Sequence, residues 1–267
     1  MPELPDVEFA RRRLQRWLID ARVSAAHCAD GRLTRPTAPR LFERTLAGRR
    51  VVAVSRRGKW LRIELDDGER VFSHLGMTGE WVRLRVDAPA LRFERARIDV
   101  TKGGRVSSVR YVDSRRFGRL VPAKTDIIDW TTLGPDPLSD GIDVLHLAAM
   151  MKGRRSVKEV LMDQRVLAGV GNIIATEALW IARIDPRAKA NVLGPADVRA
   201  VATAVRKAIL SELKDRAAGG DYEAGSFFVY GKAGQSCPRC TTPLASVVLG
   251  GRTSVYCPGC QGHRGSS

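Results

Sequence analysis

Acidic residues are scarce in this chain of 267. Twenty-nine Asp and Glu stand against 45 Lys and Arg, a formal charge of +16. A surplus of this size usually marks a polyanionic partner, most commonly nucleic acid. A solvated arginine surface would also account for the number, but the distribution argues against it. Residues 49–62 hold six cations and no acid, and residues 92–119 hold nine cations and three acids, interleaved with Phe93, Tyr111 and Phe117. Long apolar runs are lacking too. No stretch reaches about 18 residues, which excludes a membrane-spanning helix. A secretory signal is not expected, since the first residues are acidic and Asp20 interrupts the nearest apolar patch. There is no internal repeat and no low-complexity tract. With hydrophobic residues at 44%, the chain is no disordered polycation, and its length allows one large domain or two ordinary ones.

What is present divides by period. After Pro5, the residues Val7, Phe9, Ala10, Leu14, Trp17 and Leu18 fall on one helical stripe. Pro5 suits a first helical position, and Asp6 and Glu8 suit the positive end of the helix dipole. Residues 50–121 read as strands, with one hairpin around Asp67-Gly68 and another turning at Gly103-Gly104. Residues 122–141 are rich in Pro, Gly and Asp and read as a linker. A helical period follows, in four segments from Asp143 to about Ala218. One helix is predicted to end at Gly169 and the next to start at Asn172, with Asn172 as N-cap and its free N–H groups open to a phosphate. The last part, from about 232, is β-like and carries cysteines.

Cys237-Pro-Arg-Cys240 and Cys257-Pro-Gly-Cys260 are two knuckles with 16 residues between them. Each two-residue gap lets both thiolates reach one tetrahedral ion, so the four predict a closed, structural zinc site. A pair of disulfides is the rival, disfavoured in a reducing compartment. The intervening residues read as a hairpin turning at Gly250-Gly251, with Arg252 beside the turn. Cys28 reads as a buried filler, and His74 as a structural hydrogen-bonder rather than a catalyst.

The opening "MPELPDVE" raises a chemical option. Were Met1 trimmed, Pro2 would present a secondary amine that is partly unprotonated near neutrality. Attack on a sugar C1′ would give an iminium ion, and that electron sink permits β-elimination. Glu3 beside it could protonate the opening sugar.

Together "MPELPDVE", "RRGKWL", "SHLGMTGEW", "VDSRRFG", "LGPDPL", "LMDQRVLAGVGNI" and "CPRC…GGRTSVYCPGCQ" resemble the formamidopyrimidine-DNA glycosylase and endonuclease VIII family, over almost the whole chain. The resemblance implies an α+β protein. An N-terminal β-sandwich with a leading helix would occupy residues 1–121. After the linker at 122–141, a helical domain with a helix–two-turn–helix would occupy 142–231 and a four-cysteine zinc finger 232–267, with DNA in the cleft. It implies a monomeric glycosylase and abasic-site lyase acting on damaged duplex DNA, cytoplasmic and associated with the nucleoid, with one structural Zn2+. Pro2 matches the nucleophile, Glu3 the acid and Lys59 a lysine that contacts phosphate near the lesion. Asn172 and Arg252 match residues gripping phosphates. Met77, Arg115 and Phe117 match those filling the gap left by the flipped base. Lys158 aligns with a basic residue near the lesion pocket.

Two departures stand out. Asp6 replaces the usual Glu, one methylene shorter, so rate or specificity should change. Only "DYEAGSFF" separates Gly219-Gly220 from "VYG", where members that excise 8-oxoguanine carry a longer capping loop. Weak 8-oxoguanine activity is therefore expected. Two alternatives compete with the enzyme reading: a non-catalytic DNA-binding relic of the scaffold, and an RNA- or ribosome-associated zinc-ribbon protein. The second leaves the N-terminus unexplained.

Overall fold

Helix α1 (Leu4–Leu18) buries Val7, Leu14 and Leu18, the inner edge of the stripe expected from the sequence. Glu8 does not serve as a dipole residue. It is 4% exposed, and its carboxylate accepts from Arg11, Arg12 and the buried Arg56 at 2.7–3.2 Å. A buried carboxylate needs such partners, because removing one would leave an uncompensated charge. These three arginines hold Glu8 at a pKa of about 2 against the opposing effect of burial.

The computed structural model describes residues 2–217 and 227–262, and these fall into two compact units. The first comprises Met1–Pro2 and Asp6–Thr132, the second Glu3–Pro5 and Leu133–Ser267. In the first unit, strands β1 (Arg22–Cys28), β2 (Val51–Arg57), β3 (Trp60–Leu65), β4 (Arg70–His74), β5 (Glu80–Leu84), β6 (Glu94–Lys102), β7 (Arg105–Val112) and β8 (Arg119–Ala123) make two antiparallel sheets. Their orders are β1-β6-β7-β5 and β2-β3-β4-β8. Leu61, Ile63 and Leu65 of one sheet and Ile98, Val100, Val109 and Tyr111 of the other face a shared core with α1. Both hairpins turn where expected, on glycines with positive φ. Strand β1 and helix α2 (Pro39–Leu46) are additions to the sequence reading. Polar residues alternate irregularly along β1 across a bulge, and α2 is only eight residues long, so neither leaves a clear period.

The segment 122–141 is more than a tether. Its first residues finish β8, and α3 (Ile128–Thr131) carries Trp130, whose ring packs edge-on against Phe72 and under Arg62. In the second unit, Ala168 N donates to Pro135 O and Asp136 is fully buried.

The second unit is built on α4 (Val144–Met150), α5 (Val157–Met162), α6 (Asn172–Ala182) and α7 (Pro195–Ala217). Helix α6 is buried along most of its length and packs against α7. Helix α5 ends at Met162, well before Gly169. Asp163 stops it: its carboxylate accepts from the N–H and guanidinium of Arg165 and from Arg155, a local alternative to helical bonding. Residues 163–171 then fold around Gln164, whose amide donates to Met162 O and Val170 O and accepts from Gly169 N. Gly169 does take the left-handed conformation, φ +90°. Strands β9 (Ala245–Leu249) and β10 (Arg252–Tyr256) form the last hairpin.

Candidate active site

In the second unit, the N-terminus of α6 is already occupied. Its N-cap is Gly171, not Asn172, and the carboxylate of Glu3 accepts from Gly171 N at 3.1 Å, Ile173 N at 2.9 Å and Ile174 N at 3.1 Å. A carboxylate satisfies the orphan donors of a helix start and sits at the positive end of its dipole. The N–H groups read from sequence as an open phosphate site are therefore taken by Glu3, which is 1% exposed. Leu4 N also donates to Gly169 O. The start of the chain is pinned at residues 3 and 4.

Lys158 is fully buried on α5. Its ammonium donates to Thr176 Oγ1 on α6 at 2.8 Å and to Ser254 Oγ on β10 at 2.5 Å. Burial pushes it down to about 8, aided by the charge of Arg252 and opposed by that of Glu3. Arg252 is exposed at the head of β10, beside the Gly250-Gly251 turn. Asn172 donates through Nδ2 to Thr253 O at 3.1 Å, which leaves Oδ1 without a hydrogen-bond partner among the described residues. Glu3, Lys158, Asn172 and Arg252 thus share one network of α5, α6 and the cysteine-bearing hairpin.

The four Sγ atoms of Cys237, Cys240, Cys257 and Cys260 lie within 4.8 Å of one another. Separations of 3.2–3.9 Å rule out disulfides, whose sulfurs sit at about 2.05 Å, and suit a tetrahedral ion bound at about 2.3 Å. Arg239 N and Cys260 N donate to Cys237 Sγ and Cys257 Sγ, as knuckle amides would toward metal-bound thiolates. The donor set fits one closed zinc site. The finger docks on α6 through Trp180, which stacks on Phe228 and lies under Arg239 at 4.0 Å.

In the first unit, Pro2 is partly exposed, Asp6 lies in the first turn of α1 and Lys59 follows Gly58 in the β2–β3 turn. His74 accepts from Gly76 N through Nδ1 at 3.0 Å and meets Trp60 edge-on. Burial, then the charges of Lys59 and Arg119, lower its pKa to about 4. It is a neutral hydrogen-bonder at pH 7, with the proton on Nε2.

Two loops are locked together through glycines. A Cβ on Gly76, whose φ is +62°, would lie 2.4 Å from the carbonyl carbon of Phe117, and one on Gly79 or Gly118 would strike the Tyr111 hydroxyl. Asp113 fastens them: its carboxylate accepts from Thr78 Oγ1 at 2.6 Å, Arg115 N at 3.1 Å and Gly118 N at 2.8 Å. Arg116 pairs with Asp30. Met77 and the Arg115–Phe117 segment are thereby neighbours. Phe117 is 54% exposed with the Arg115 guanidinium 5.1 Å from its ring, so neither is core packing. Asp113, Gln164 and the Glu8–Arg56 pair are functional positions that the sequence does not mark, although Asp113 and Gln164 stand inside the motifs "VDSRRFG" and "LMDQRVLAGVGNI". The shortened segment between Gly219-Gly220 and "VYG" lies almost wholly outside the described residues.

A sandwich led by a helix, a helical unit whose α6 start is capped by the third residue, and a four-cysteine finger define a three-part modular architecture. Three family models match in order: the formamidopyrimidine-DNA glycosylase N-terminal domain over residues 1–120, the H2TH domain over 133–220, and a zinc finger found in FPG and IleRS over 234–262. A formamidopyrimidine-DNA glycosylase of Pseudomonas putida is 39% identical over 276 residues, covering 98% of this chain and all of the relative. Among solved structures, the Lactococcus lactis enzyme bound to DNA with an abasic site has a TM-score of 0.87 at 28% identity, covering 97% of this chain and 99% of that one. MutM in complex with DNA containing carbocyclic 8-oxo-G has the same TM-score and identity, with 98% and 100% covered. The chain belongs to the formamidopyrimidine-DNA glycosylase family. Among the described residues, no helix is long and apolar enough to cross a membrane.

Proposed function

We propose that this protein is a monomeric, bifunctional DNA glycosylase and abasic-site lyase of base-excision repair, working on chromosomal DNA. The observation that carries the reading is the pinning of Glu3. Three backbone donors hold its carboxylate and Leu4 N is tied to Gly169 O, so the peptide that follows Pro2 is fixed. Once Met1 is removed, the Pro2 amine is held by its own chain rather than swinging on a loose terminus, which is the positional advantage a nucleophile needs.

The Pro2 nitrogen attacks C1′ as the bond to the damaged base breaks and the base leaves with a proton. The amine then gives up its N–H proton as the C1′–O4′ bond opens and O4′ takes a proton, which leaves an iminium. The resulting iminium withdraws electrons from C2′, a C2′ proton is lost and the 3′ phosphate departs. Loss of the 5′ phosphate follows by δ-elimination, and hydrolysis of the iminium frees Pro2. Glu3 is the group for proton transfer at the sugar. Lys59, Asn172 and Arg252 contact phosphates, with Lys158 behind Arg252. Met77, Arg115 and Phe117 fill the vacated stack. Zinc holds the hairpin that carries Arg252 and takes no chemical step.

For lesion choice, the eight residues between Gly219-Gly220 and "VYG" are short for enclosing an oxidised purine. Ring-opened purines, oxidised pyrimidines and abasic sites are the favoured substrates, with Asp6 tuning the rate. Strand incision on duplexes carrying each lesion tests this. Ring-opened guanine should be cut at least tenfold faster than 8-oxoguanine, and the reverse order would overturn the preference. Absence of incision on every duplex by protein beginning at Pro2 would leave the non-catalytic relic.

A further inference from the structure

At the end of the first unit remote from Pro2, a solvent-open depression of about 530 Å³ is lined by cations from three places in the fold. Arg16 and Trp17 come from the last turn of α1, Arg83 and Arg85 from the end of β5, and Lys102 and Arg105 flank the β6–β7 turn. No acid lines it. Arg85 is answered by Asp87 at 2.7 Å, while Arg16, Arg83 and Arg105 have no ion-pair partner among the described residues. The carbonyl end of α1 would repel an anion, but Lys102 Nζ donates to Arg16 O at 3.0 Å and offsets it.

The place is separate from Pro2 and from the loop of Arg115 and Phe117, the first unit's part of the candidate active site. Twelve helical steps of α1, from Leu4 to Arg16, put Arg16 about 18 Å from the helix start that follows Pro2. Along β7, Arg105 is about 26 Å from the Asp113 loop that carries Arg115 and Phe117. Strands β6, β7 and β5 are adjacent, so their charged ends form a row about 10 Å across, the axial span of roughly three phosphates of one DNA strand. A wide, shallow row of guanidinium forks suits a phosphodiester backbone better than an enclosed small molecule.

We propose that this depression is a second DNA-backbone site, which holds undamaged duplex away from the lesion and adds to sequence-independent affinity. The proposal rests on the reading of the chain as a DNA-processing enzyme. It gives that enzyme a grip it can use while searching. The side chains of Arg16, Arg83 and Arg105 are exposed, so a triple variant R16Q/R83Q/R105Q should fold as the parent does, checked by its Tm.

The test measures equilibrium binding of the full chain to an undamaged duplex of about 30 base pairs across a salt series. In parallel, borohydride trapping is run at saturating protein on an abasic duplex. Each lost phosphate contact should lower the slope of log K against log salt by about 0.9. The triple variant should therefore lose about 2–3 in slope and at least tenfold in affinity at low salt, with trapping yield unchanged. An unchanged slope would overturn the proposal, whatever the trapping shows. Loss of trapping in the variant would also overturn it, by placing these residues in the lesion machinery. So would a nucleoside triphosphate that binds the parent but not the variant while duplex affinity is unaltered. Failure of the parent to trap would instead strike the enzyme reading, leaving the salt slopes to be read separately.

Discussion

Replacing Glu3 with Gln separates the structural task of this residue from its chemical one. The two carboxylate oxygens divide three donors: Oε2 takes Gly171 N and Ile174 N, and Oε1 takes Ile173 N. A Gln can keep the pair on its carbonyl oxygen, but its NH2 must then face Ile173 N, donor against donor. One hydrogen bond to a charged group disappears, worth about 1.5–3 kcal/mol. The charge at the positive end of α6 disappears with it, worth up to about 2 kcal/mol when partly buried. Together they amount to about 3 kcal/mol, or a drop in Tm of about 8 °C for a chain of this size. Thermal unfolding followed by circular dichroism, on protein with and without Met1, reads this directly. The loss should be the same in both, because the cap does not depend on the amine. A Tm within about 2 °C of the parent would refute the argument that Glu3 holds α6, and with it the fixed N-terminus. Strand incision should fall at least a hundredfold in the Met-processed variant.

Other perturbations probe the remaining parts. His74 has its pKa lowered to about 4 from an ordinary 6.5, so between those values the unfolded chain binds the extra proton. Stability therefore falls as the pH drops from 6.5 toward 4, by up to about 3 kcal/mol. His74→Gln should flatten that part of the profile in urea melts. Phe117→Ala removes an exposed ring, so its midpoint should stay within about 0.5 kcal/mol while kcat/KM on a lesion duplex drops about tenfold or more; a matching loss of stability would show the ring to be core instead. One zinc per chain should be found by elemental analysis. Cys257→Ser or prolonged chelation should weaken duplex binding at least tenfold while the sandwich keeps its β-sheet signal.

Much of this architecture could be read from the residues themselves. The glycine pairs at 103–104 and 250–251 and the Asp67-Gly68 turn carried their hairpins because positive φ has few alternatives. The two Cys-X-X-Cys knuckles carried the metal site because spacing alone brings thiolates together. Phe117 stood out as an aromatic between arginine and glycine, which is poor company for a core residue. What was hidden depends on contacts remote in sequence. Nothing in "MPELPDVE" says that Glu3 reaches α6, 168 residues away, so from sequence the helix start reads as open. Glu8 reads as a dipole residue until Arg56, 48 residues on, is found to share its carboxylate. The early end of α5 at Met162 is masked by an apolar pattern running on through Val166 and Leu167. Those two are buried, but in a loop shaped by Gln164.

The central claim is that the Pro2 amine attacks the sugar. Mass spectrometry would first establish that the preparation begins at Pro2, and borohydride would then trap it on a duplex with an abasic site, beside Pro2→Gly. The account predicts a covalent protein–DNA adduct, lost or greatly reduced in the variant. No adduct from protein shown to begin at Pro2, or an equal yield from Pro2→Gly, would contradict it.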